Sequence, residues 1–481
     1  MHLLQPELHS RRAFLRRSAQ LGMAGTALPF ALNLAAVGEA AAFTATDYKA
    51  LVCVFLYGGN DYGNTVITYD DDSYNKYNAI RGGGAGQTAG GIALAKSALT
   101  PTLLTPTTPL AGGRQYALHP AMTGLTNLFN TGKAAVQLNV GPLVVPLTRA
   151  QYSSSNRTLY PLPPKLFSHN DQQSVWQSSS PEGSTVGWGG NIGDLALSSN
   201  GSSLFTCISV TGNAVFLSGD SALQYQVSTN GAIAINGVKN NVYGSTAVRA
   251  ALSSLIQQNS GQTLENEYNR VTARAVGAEA SITSGLAGVN LATAFPSSNS
   301  LADQLKMVAR LIGARTTLGS KRQVFMVSLG GFDLHDNLIS QQPTLMQRVS
   351  EAMTAFYNAT VELGVADKVT AFTASDFGRT LSSNGDGSDH GWGSHHLMVG
   401  GAVKGKAFYG KAPPVSITNT ADANDQWHVG QGRLLPSTSV DQYAATLASW
   451  FGVSNSELPG VLPNLSHFGG ADYPTNLGFM A

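Results

Sequence analysis

The stretch that decides the fold is YKALVCVFLYGGND, Tyr48 to Asp61. Its first ten residues form a nearly continuous apolar run, which breaks at two glycines, an asparagine and an aspartate. Runs of this kind suit a strand that is buried on both faces, as in parallel sheets. The stretch therefore predicts a central strand followed by a turn that carries a carboxylate.

Other segments of the chain extend this pattern. Short apolar runs predict further strands at Ala134–Val140, Val324–Leu329, Val369–Ala374 and Leu397–Val399. Apolar residues at helical spacing predict helices over Leu301–Leu318, Pro343–Leu363 and Val440–Phe451. Alternating strands and helices are typical of an α/β fold with a doubly wound, mostly parallel sheet.

The middle of the chain has a different character. Ser203 to Asn240 mixes serine, glycine and asparagine with short β-prone pieces, and Ala247 to Ile282 predicts one or two helices. We interpret residues 200–290 as a mixed insertion or cap on one α/β domain that spans residues 43–481. The glycine-rich stretch from Gly82 to Gly91 lacks the Lys-Ser/Thr ending of a phosphate loop and is interpreted as a flexible linker.

The N-terminus carries an export signal. It reads SRRAFLRR at Ser10 to Arg17, followed by a mildly apolar stretch and a run of alanines ending at Ala42. This pattern predicts a twin-arginine signal peptide over residues 1–42 and a periplasmic or secreted protein. A retained anchor helix is the alternative. Twin-arginine export carries folded proteins, often with a metal or cofactor, which favours a cofactor site in the mature chain.

Composition excludes several classes of function. The chain has 481 residues, 12% of them charged, and a formal net charge of +1, so no basic footprint points to nucleic acid. No later apolar stretch reaches the roughly 18 residues that a membrane span needs, so the mature protein is expected to lack one. Cys53 and Cys207 sit in apolar runs and are interpreted as small buried side chains, with a disulfide between them as the alternative.

Polar residues collect where the predicted strands end. The carboxyl ends of parallel strands form one rim, and ligands bind there. Like charges at one rim are costly unless a cation compensates them, so this pattern predicts a divalent metal site. Mixed Asp and His ligands suit zinc, manganese or iron, whereas an all-oxygen set suits calcium or magnesium. The candidate ligands are Asp61, Asp333, His335, Asp376, Asp389 and His390. Each of them alone could instead shape a turn or cap a helix.

The candidate catalytic residues are Ser168, His169 and Arg379. In FSHNDQQSVWQ, Ser168 is expected to start a helix, and a hydroxyl beside a metal could act as a nucleophile. Plain capping by Ser168 is the alternative, and His169 is a second candidate active residue. Arg379 could hold an anionic substrate oxygen. His395 is expected to be structural.

These motifs resemble a bacterial family of secreted proteins known as domain of unknown function 1501. The matching stretches are the twin-arginine leader, VFLYGGNDYGNTV, FSHNDQQSVWQ, SLGGFDLHDN, SDFGRT, DHGWGS, GGAVKGKAFYG and VDQYAATLASWFGV. That family is considered similar to the alkaline phosphatase-like superfamily, which includes sulfatases. The resemblance implies one or two metals at the strand ends and a Ser, Thr or formylglycine nucleophile.

Position by position, the resemblance extends to single residues. Asp61 resembles the superfamily's first-strand metal aspartate, His390 resembles its late single histidine, and Ser168 lies where the nucleophile would fall. Asp333 and His335 resemble its Asp…His pair, although one residue intervenes here and three are typical.

Asp376 resembles the aspartate of an Asp-His pair, with Phe377 in the place of the histidine. That departure implies a single metal or a site that no longer catalyses. The sequence therefore carries two main hypotheses: an exported metal-dependent hydrolase of phosphate or sulfate esters, or a non-catalytic secreted relative that binds a partner such as a cell-envelope polymer. A metal redox enzyme is a third.

Overall fold

The computed structural model describes residues 43, 45–82 and 91–481. The expected signal peptide at 1–42 and nearly all of the expected linker at 82–91 lie outside the described residues. Among the described residues, no helix is both long enough and apolar enough to cross a membrane.

Twelve strands are present in the described part of the chain. They are β1 Lys49–Leu56, β2 Val66–Thr68, β3 Tyr116–Leu118, β4 Ala134–Gly141, β5 Cys207–Ser209, β6 Gln224–Ser228, β7 Gly231–Ala232, β8 Arg322–Leu329, β9 Val369–Ser375, β10 Ser394–Gly400, β11 Phe408–Tyr409 and β12 Thr438–Ser439.

The same residues form thirteen α-helices, joined by short 3₁₀ turns. They are α1 Asp71–Ile80, α2 Lys96–Leu99, α3 Thr123–Asn130, α4 Arg149–Ser153, α5 His169–Ser178, α6 Trp188–Ala196, α7 Asn236–Lys239, α8 Thr246–Leu255, α9 Thr263–Ala287, α10 Ser300–Gly313, α11 Leu338–Glu362, α12 Val440–Phe451 and α13 Leu458–Val461.

The central sheet confirms the predicted fold class, with one reversal of direction. Among the described residues its strand order is β11-β4-β10-β9-β1-β8-β5-β6-β7, with β12 beside β4. β1 runs parallel to both β8 and β9. β10 runs antiparallel to β9 and to β4. Because β10 points the opposite way, residues that precede it lie at the sheet edge where β1, β8 and β9 end.

The predicted two-sided burial of β1 is confirmed. Its residues alternate between two apolar clusters, with Val52 and Val54 in one and Leu51 and Phe55 in the other. Helices α10 and α11 supply the first cluster, whereas α6 and α12 supply the second. The sheet is therefore covered on both faces, which explains why its strands are continuous apolar runs.

Both cysteines behave as small apolar side chains. Cys53 and Cys207 are buried, and neither forms a disulfide. They belong to the same apolar cluster on one face of the sheet. The disulfide that the sequence left open is therefore not formed.

Residues 200–290 are more than a cap. β5 pairs with β8, and β6 pairs with β5, so this segment extends the main sheet at one edge. Helix α9 of the same segment packs its second half into the main apolar cluster through Ala278, Ile282 and Leu286. The short strands were hard to recognise because their apolar runs are brief and lie among glycine and serine.

Candidate metal centre

One edge of the sheet gathers most of the predicted site residues. Asp333 follows β8, Asp376 follows β9, and Asp389 and His390 precede the antiparallel β10. His169 is the first residue of α5, which packs close to β9. We call this group of residues, together with His335, the metal centre.

Each of the three imidazoles in the metal centre is held through Nδ1. His169 Nδ1 lies 2.7 Å from Asp376 Oδ2, and His390 Nδ1 lies 2.7 Å from the backbone oxygen of Phe167. His335 Nδ1 lies 3.2 Å from Asp389 Oδ1. Since these oxygens accept hydrogen bonds, each Nδ1 is the donor, and in the neutral form of each ring Nε2 then presents a lone pair.

The Nε2 atoms of the three imidazoles converge on Asp333, and His335 Nε2 lies 3.0 Å from Asp333 Oδ1. His169 Nε2 is 3.3 Å from Asp333 Oδ2, and His390 Nε2 is 3.2 Å from Asp333 Oδ1. The Nε2 atoms of His335 and His390 are 2.9 Å apart. Ligand atoms of His169, Asp333 and His390 all lie within 4.8 Å of one another.

The donor set fits a metal ion better than it fits a hydrogen-bond network. His169 Nε2 is buried and has no hydrogen-bond partner among the described residues. Two imidazole lone pairs that face each other repel unless a proton or a cation lies between them. Two histidines and one carboxylate also match the three protein ligands of many catalytic zinc sites, which keep a fourth position open. His169, Asp333 and His390 could therefore hold a divalent ion.

The charges around the metal centre shift its pKa values in different directions. The hydrogen bond from Asp376 raises the pKa of His169 above its ordinary value, despite partial burial. Burial lowers the pKa of His390, and the neighbouring His169 acts in the same direction. Burial opposes ionisation of Asp333, but the hydrogen bond and charge of Arg379 hold the pKa of Asp333 below its usual range.

Asp376 lies behind His169, on the side away from the convergence point. Its carboxylate is fully buried and also accepts hydrogen bonds from Gln173 Nε2 at 2.8 Å and from the Gly58 N–H at 3.1 Å. Gly58 has a φ of 117°, and an added Cβ there would lie 2.4 Å from the backbone nitrogen of Asp333. The positive φ and the close approach to the Asp333 backbone thus require a glycine after β1.

Arg379 is not available to a substrate in this arrangement. Its side chain is fully buried, and its Nη1 donates to Asp333 Oδ1 at 2.8 Å and to the Gly58 carbonyl at 2.9 Å. Its Nε and Nη2 donate to the backbone oxygen of Ser388. The guanidinium therefore fixes Asp333 in place, which differs from the substrate contact expected from the sequence.

Asp61 lies outside the metal centre. Its carboxylate forms a buried ion pair with Arg81 at 2.8 Å and accepts hydrogen bonds from the Ser388 hydroxyl and the Asn64 N–H. An aspartate whose charge is already neutralised by a buried arginine needs no metal. The sequence did not indicate this pairing, because Arg81 lies directly after α1, outside the stretch that carries Asp61.

The two adjacent histidines of β10 also stay apart from the metal centre. His395 is buried, and its Nδ1 accepts a hydrogen bond from the Asn139 N–H at 3.0 Å. His396 is buried against Trp176 and Tyr443. Both side chains belong to the core, as expected for His395.

Ser168 starts α5 as expected, but its hydroxyl does not cap the helix. The side chain accepts no hydrogen bond from the helix N–H groups. It donates instead to Asp171 Oδ2 at 2.9 Å, and Asp171 is itself buried. The Ser168 hydroxyl is therefore directed at a buried carboxylate and not at the helix backbone.

Two residues of the site were missed by sequence reasoning. Phe167 has a φ of 73°, a strained conformation for a bulky residue, and it aims its carbonyl at His390. Arg433 donates from Nε to the His390 carbonyl at 2.7 Å and lies over the Phe167 ring at 5.5 Å. Its two terminal amino groups have no hydrogen-bond partner among the described residues. No local pattern marks either residue, since both act through the backbone or across the chain.

The fold and site define a mixed α/β protein with a His/Asp centre at the edge of a mostly parallel sheet. Residues 48–453 match the model of the family described as protein of unknown function (DUF1501). The chain belongs to that family, as its motifs indicated.

Remote matches among solved structures include a sulfatase and a mutant of an alkaline phosphatase. The PsFucS1 sulfatase from Pseudoalteromonas sp. is 10% identical, with a TM-score of 0.35, and the match covers 99% of this chain and 76% of that one. A structure from a study of glycosaminoglycan metabolism in Bacteroides thetaiotaomicron is 9% identical, with a TM-score of 0.34 and coverage of 85% and 74%.

A mutant of the alkaline phosphatase PafA is 11% identical, with a TM-score of 0.27 and coverage of 70% and 64%. No curated protein matches the chain. At these identities and TM-scores the structural likeness is remote, and it does not by itself indicate an activity.

Proposed function

We propose that this protein is a metal-dependent hydrolase of anionic esters, either phosphate or sulfate. The observation that carries the proposal is the convergence of Nε2 of His169, Nε2 of His390 and the Asp333 carboxylate, within 4.8 Å of one another, from three distant segments. His169, Asp333 and His390 would hold the ion, with His335 beside them. The two imidazole ligands favour zinc over calcium or magnesium, and the carboxylate also suits manganese.

A divalent ion at this centre would supply Lewis acidity and stabilise negative charge that develops on the ester. The chain's own groups orient the centre. Asp376 and the Phe167 carbonyl fix the ring orientation and tautomer of His169 and His390, a support on which metal affinity commonly depends. Asp389 does the same for His335. In this proposal Asp376 and Asp389 act on the ligands and are not ligands themselves.

Ser168 is the proposed nucleophile. Its hydroxyl already donates to Asp171 Oδ2 at 2.9 Å, so Asp171 can take the proton when the serine oxygen attacks the phosphorus or sulfur atom of the ester. The bond from that atom to the ester oxygen then breaks, and the alcohol leaves with a proton from water. A second water hydrolyses the ester formed on Ser168, which releases phosphate or sulfate and restores the serine hydroxyl. The same hydrogen bond argues against a role in helix capping, because a capping serine accepts a bond from the helix backbone.

Arg433 is the proposed contact for the anionic group of the substrate. It is anchored to His390 through Nε alone, so both terminal amino groups remain free to bind an anionic oxygen pair. Arg379 cannot do this because its donors are already used. The Arg433 position beside His390 explains how the centre would discriminate anionic esters from neutral ones.

Turnover of an aryl phosphate and an aryl sulfate by the zinc-loaded and manganese-loaded protein tests the proposal. Ser168→Ala is expected to abolish turnover while leaving metal content unchanged. Arg433→Ala is expected to raise KM by roughly tenfold or more with a smaller effect on kcat, whereas the exposed Arg157→Ala serves as its control. Bound metal without turnover of either ester would favour the alternative, a non-catalytic binding protein with a structural metal.

The site of action is proposed to be the periplasm or the extracellular space. The SRRAFLRR motif at Ser10 to Arg17 supports this part of the proposal. Replacing Arg11 and Arg12 by lysine is expected to retain the protein in the cytoplasm. Unchanged export of that variant would contradict the twin-arginine route.

A further inference from the structure

Helix α9 exposes apolar side chains and buries polar ones over its first half. Leu264, Tyr268 and Val271 are 88%, 68% and 48% exposed. Their spacing of four and three residues places them on one face of the helix. The buried residues of the same half are polar, Asn269 and Thr272. A helix packed only by its own chain shows the opposite arrangement.

The segment around this stripe is rich in exposed apolar residues. Eleven large hydrophobic side chains are exposed in the described part of the chain, and eight of them lie between Ile233 and Val271. Tyr243, in the same segment, is completely exposed. Exposed apolar residues that have no role in binding are usually scattered, so their concentration in one segment is typical of an interaction surface.

The charges beside the stripe indicate what covers it. Leu264, Tyr268, Val271 and the exposed Ala275 follow the spacing of a helical seam. Glu267 and Arg274 are seven residues apart and each directly precedes a seam residue, so they occupy the same flank. When two such helices pair antiparallel, this flank of one faces the same flank of the other, which places Glu267 of one copy opposite Arg274 of the second.

The opposite flank cannot take part in pairing, because Thr272 on that side is buried against the protein's own fold. Within one copy, Glu267 contacts both Arg270 at 3.0 Å and Arg274 at 3.4 Å. Arg274 can therefore turn to a second copy while Arg270 still compensates Glu267. Opposite charges on this flank, Glu267 and Arg274, therefore meet across the contact only when the two helices run antiparallel.

We propose that α9 is the interface of a two-fold symmetric dimer, in which the helices of two copies pair antiparallel with Tyr268 against Val271. Such an isologous contact uses one patch twice and closes on itself. The interface lies on α9, which belongs to the edge segment and not to the metal centre, so the proposal does not depend on the proposed function.

Analytical ultracentrifugation of the purified full chain tests the proposal. The wild-type protein is expected to show a concentration-dependent equilibrium between monomer and dimer. Leu264→Glu and Tyr268→Glu are expected to be monomeric, because each places a charge in the seam of both copies. Val361→Glu, which alters an apolar residue on α11 that is 52% exposed, is the control and is expected to dimerise as the wild type does.

Charge reversal tests the direction of pairing even if a seam variant misfolds. Glu267→Arg alone or Arg274→Glu alone is expected to weaken dimerisation about tenfold, because like charges then face each other. The double variant Glu267→Arg/Arg274→Glu is expected to restore it. A dimer that is insensitive to Leu264→Glu, or a monomeric wild type, would overturn the proposal. Binding of the monomer to anionic phospholipid vesicles, lost in Tyr268→Glu, would overturn it in favour of a membrane surface.

Discussion

Asp376 Oδ2 and His169 Nδ1 lie 2.7 Å apart, although 207 positions separate the two residues in the chain. The contact joins the end of β9 to the start of α5 and turns His169 Nε2 towards Asp333. A buried carboxylate behind an imidazole is the usual support of a histidine that binds metal. The account of the site depends on this support.

Removing the support is expected to weaken metal binding. Asp376→Asn keeps the size of the side chain but loses the charge that orients His169, and metal affinity is expected to fall by about 10- to 100-fold. Isothermal titration with zinc or manganese measures the change. Asp336→Asn, which alters an exposed carboxylate of the loop after β8, is the matched control and should leave affinity unchanged. Equal affinities for all three proteins would show that Asp376 does not act on a ligand.

The pH dependence of metal binding follows from the raised pKa of His169. Metal binds the neutral imidazole, so affinity is expected to fall as pH falls through the pKa of His169, which the hydrogen bond from Asp376 raises above the ordinary value of a histidine. In Asp376→Asn this fall should occur at lower pH. In the metal-free protein the sign is opposite: the raised pKa stabilises the fold below the unfolded-state value and the effect is lost as pH rises through the folded-state value. If metal affinity falls at the same pH in the wild type and in Asp376→Asn, His169 is not the histidine whose protonation competes with the metal.

The pairing of Asp61 with Arg81 predicts a stability effect and no effect on metal. Both side chains are almost fully buried, so Arg81→Met leaves an uncompensated charge and is expected to cost about 3–5 kcal/mol in urea unfolding. The exposed pair of Lys76 and Asp72 provides the control, since Lys76→Met is expected to cost about 0–1 kcal/mol. Loss of bound metal in Asp61→Asn, without loss of stability, would restore Asp61 as a ligand.

Buried histidines of the core are expected to make the protein sensitive to acid. Burial lowers the pKa of His395 and His396 to about 3 and that of His119 to about 4. Their contribution to stability is therefore complete above the unfolded-state value and is lost as pH falls, at roughly 1.4 kcal/mol per pH unit for each histidine at most. His396→Phe keeps an aromatic ring beside Trp176 and removes one titrating group. The measurement compares the wild type with this variant by the slope of the free energy of unfolding against pH between 6 and 4. We expect the slope to be smaller in the variant, by the uptake of on the order of one proton. An unchanged slope would show that His396 is not buried in its neutral form.

The sequence was a good guide to the strands and a poorer guide to the roles of their end residues. The apolar runs of β1, β8 and β9 predicted the centre of the sheet, since strands covered on both faces need no polar positions. The direction of β10 was not predictable from its short run, and it decides that His390 reaches the same edge as Asp333.

Side-chain direction accounts for the remaining differences. Asp61, Asp376 and Asp389 were all expected as ligands, because a strand-end carboxylate has the same local pattern whether it faces a metal, an arginine or an imidazole. Only the folded chain shows that Asp61 faces Arg81 and that Asp376 faces His169. Arg433 was missed for the same reason, since it reaches the site from a loop with no motif of its own.

The most direct test of the central claim is anomalous diffraction from crystals of the protein loaded with zinc or manganese. The account predicts one strong anomalous peak bounded by Nε2 of His169, Nε2 of His390 and the carboxylate of Asp333, and no peak at Asp61. A peak at Asp61, or an empty centre in crystals that bind the metal elsewhere, would contradict it.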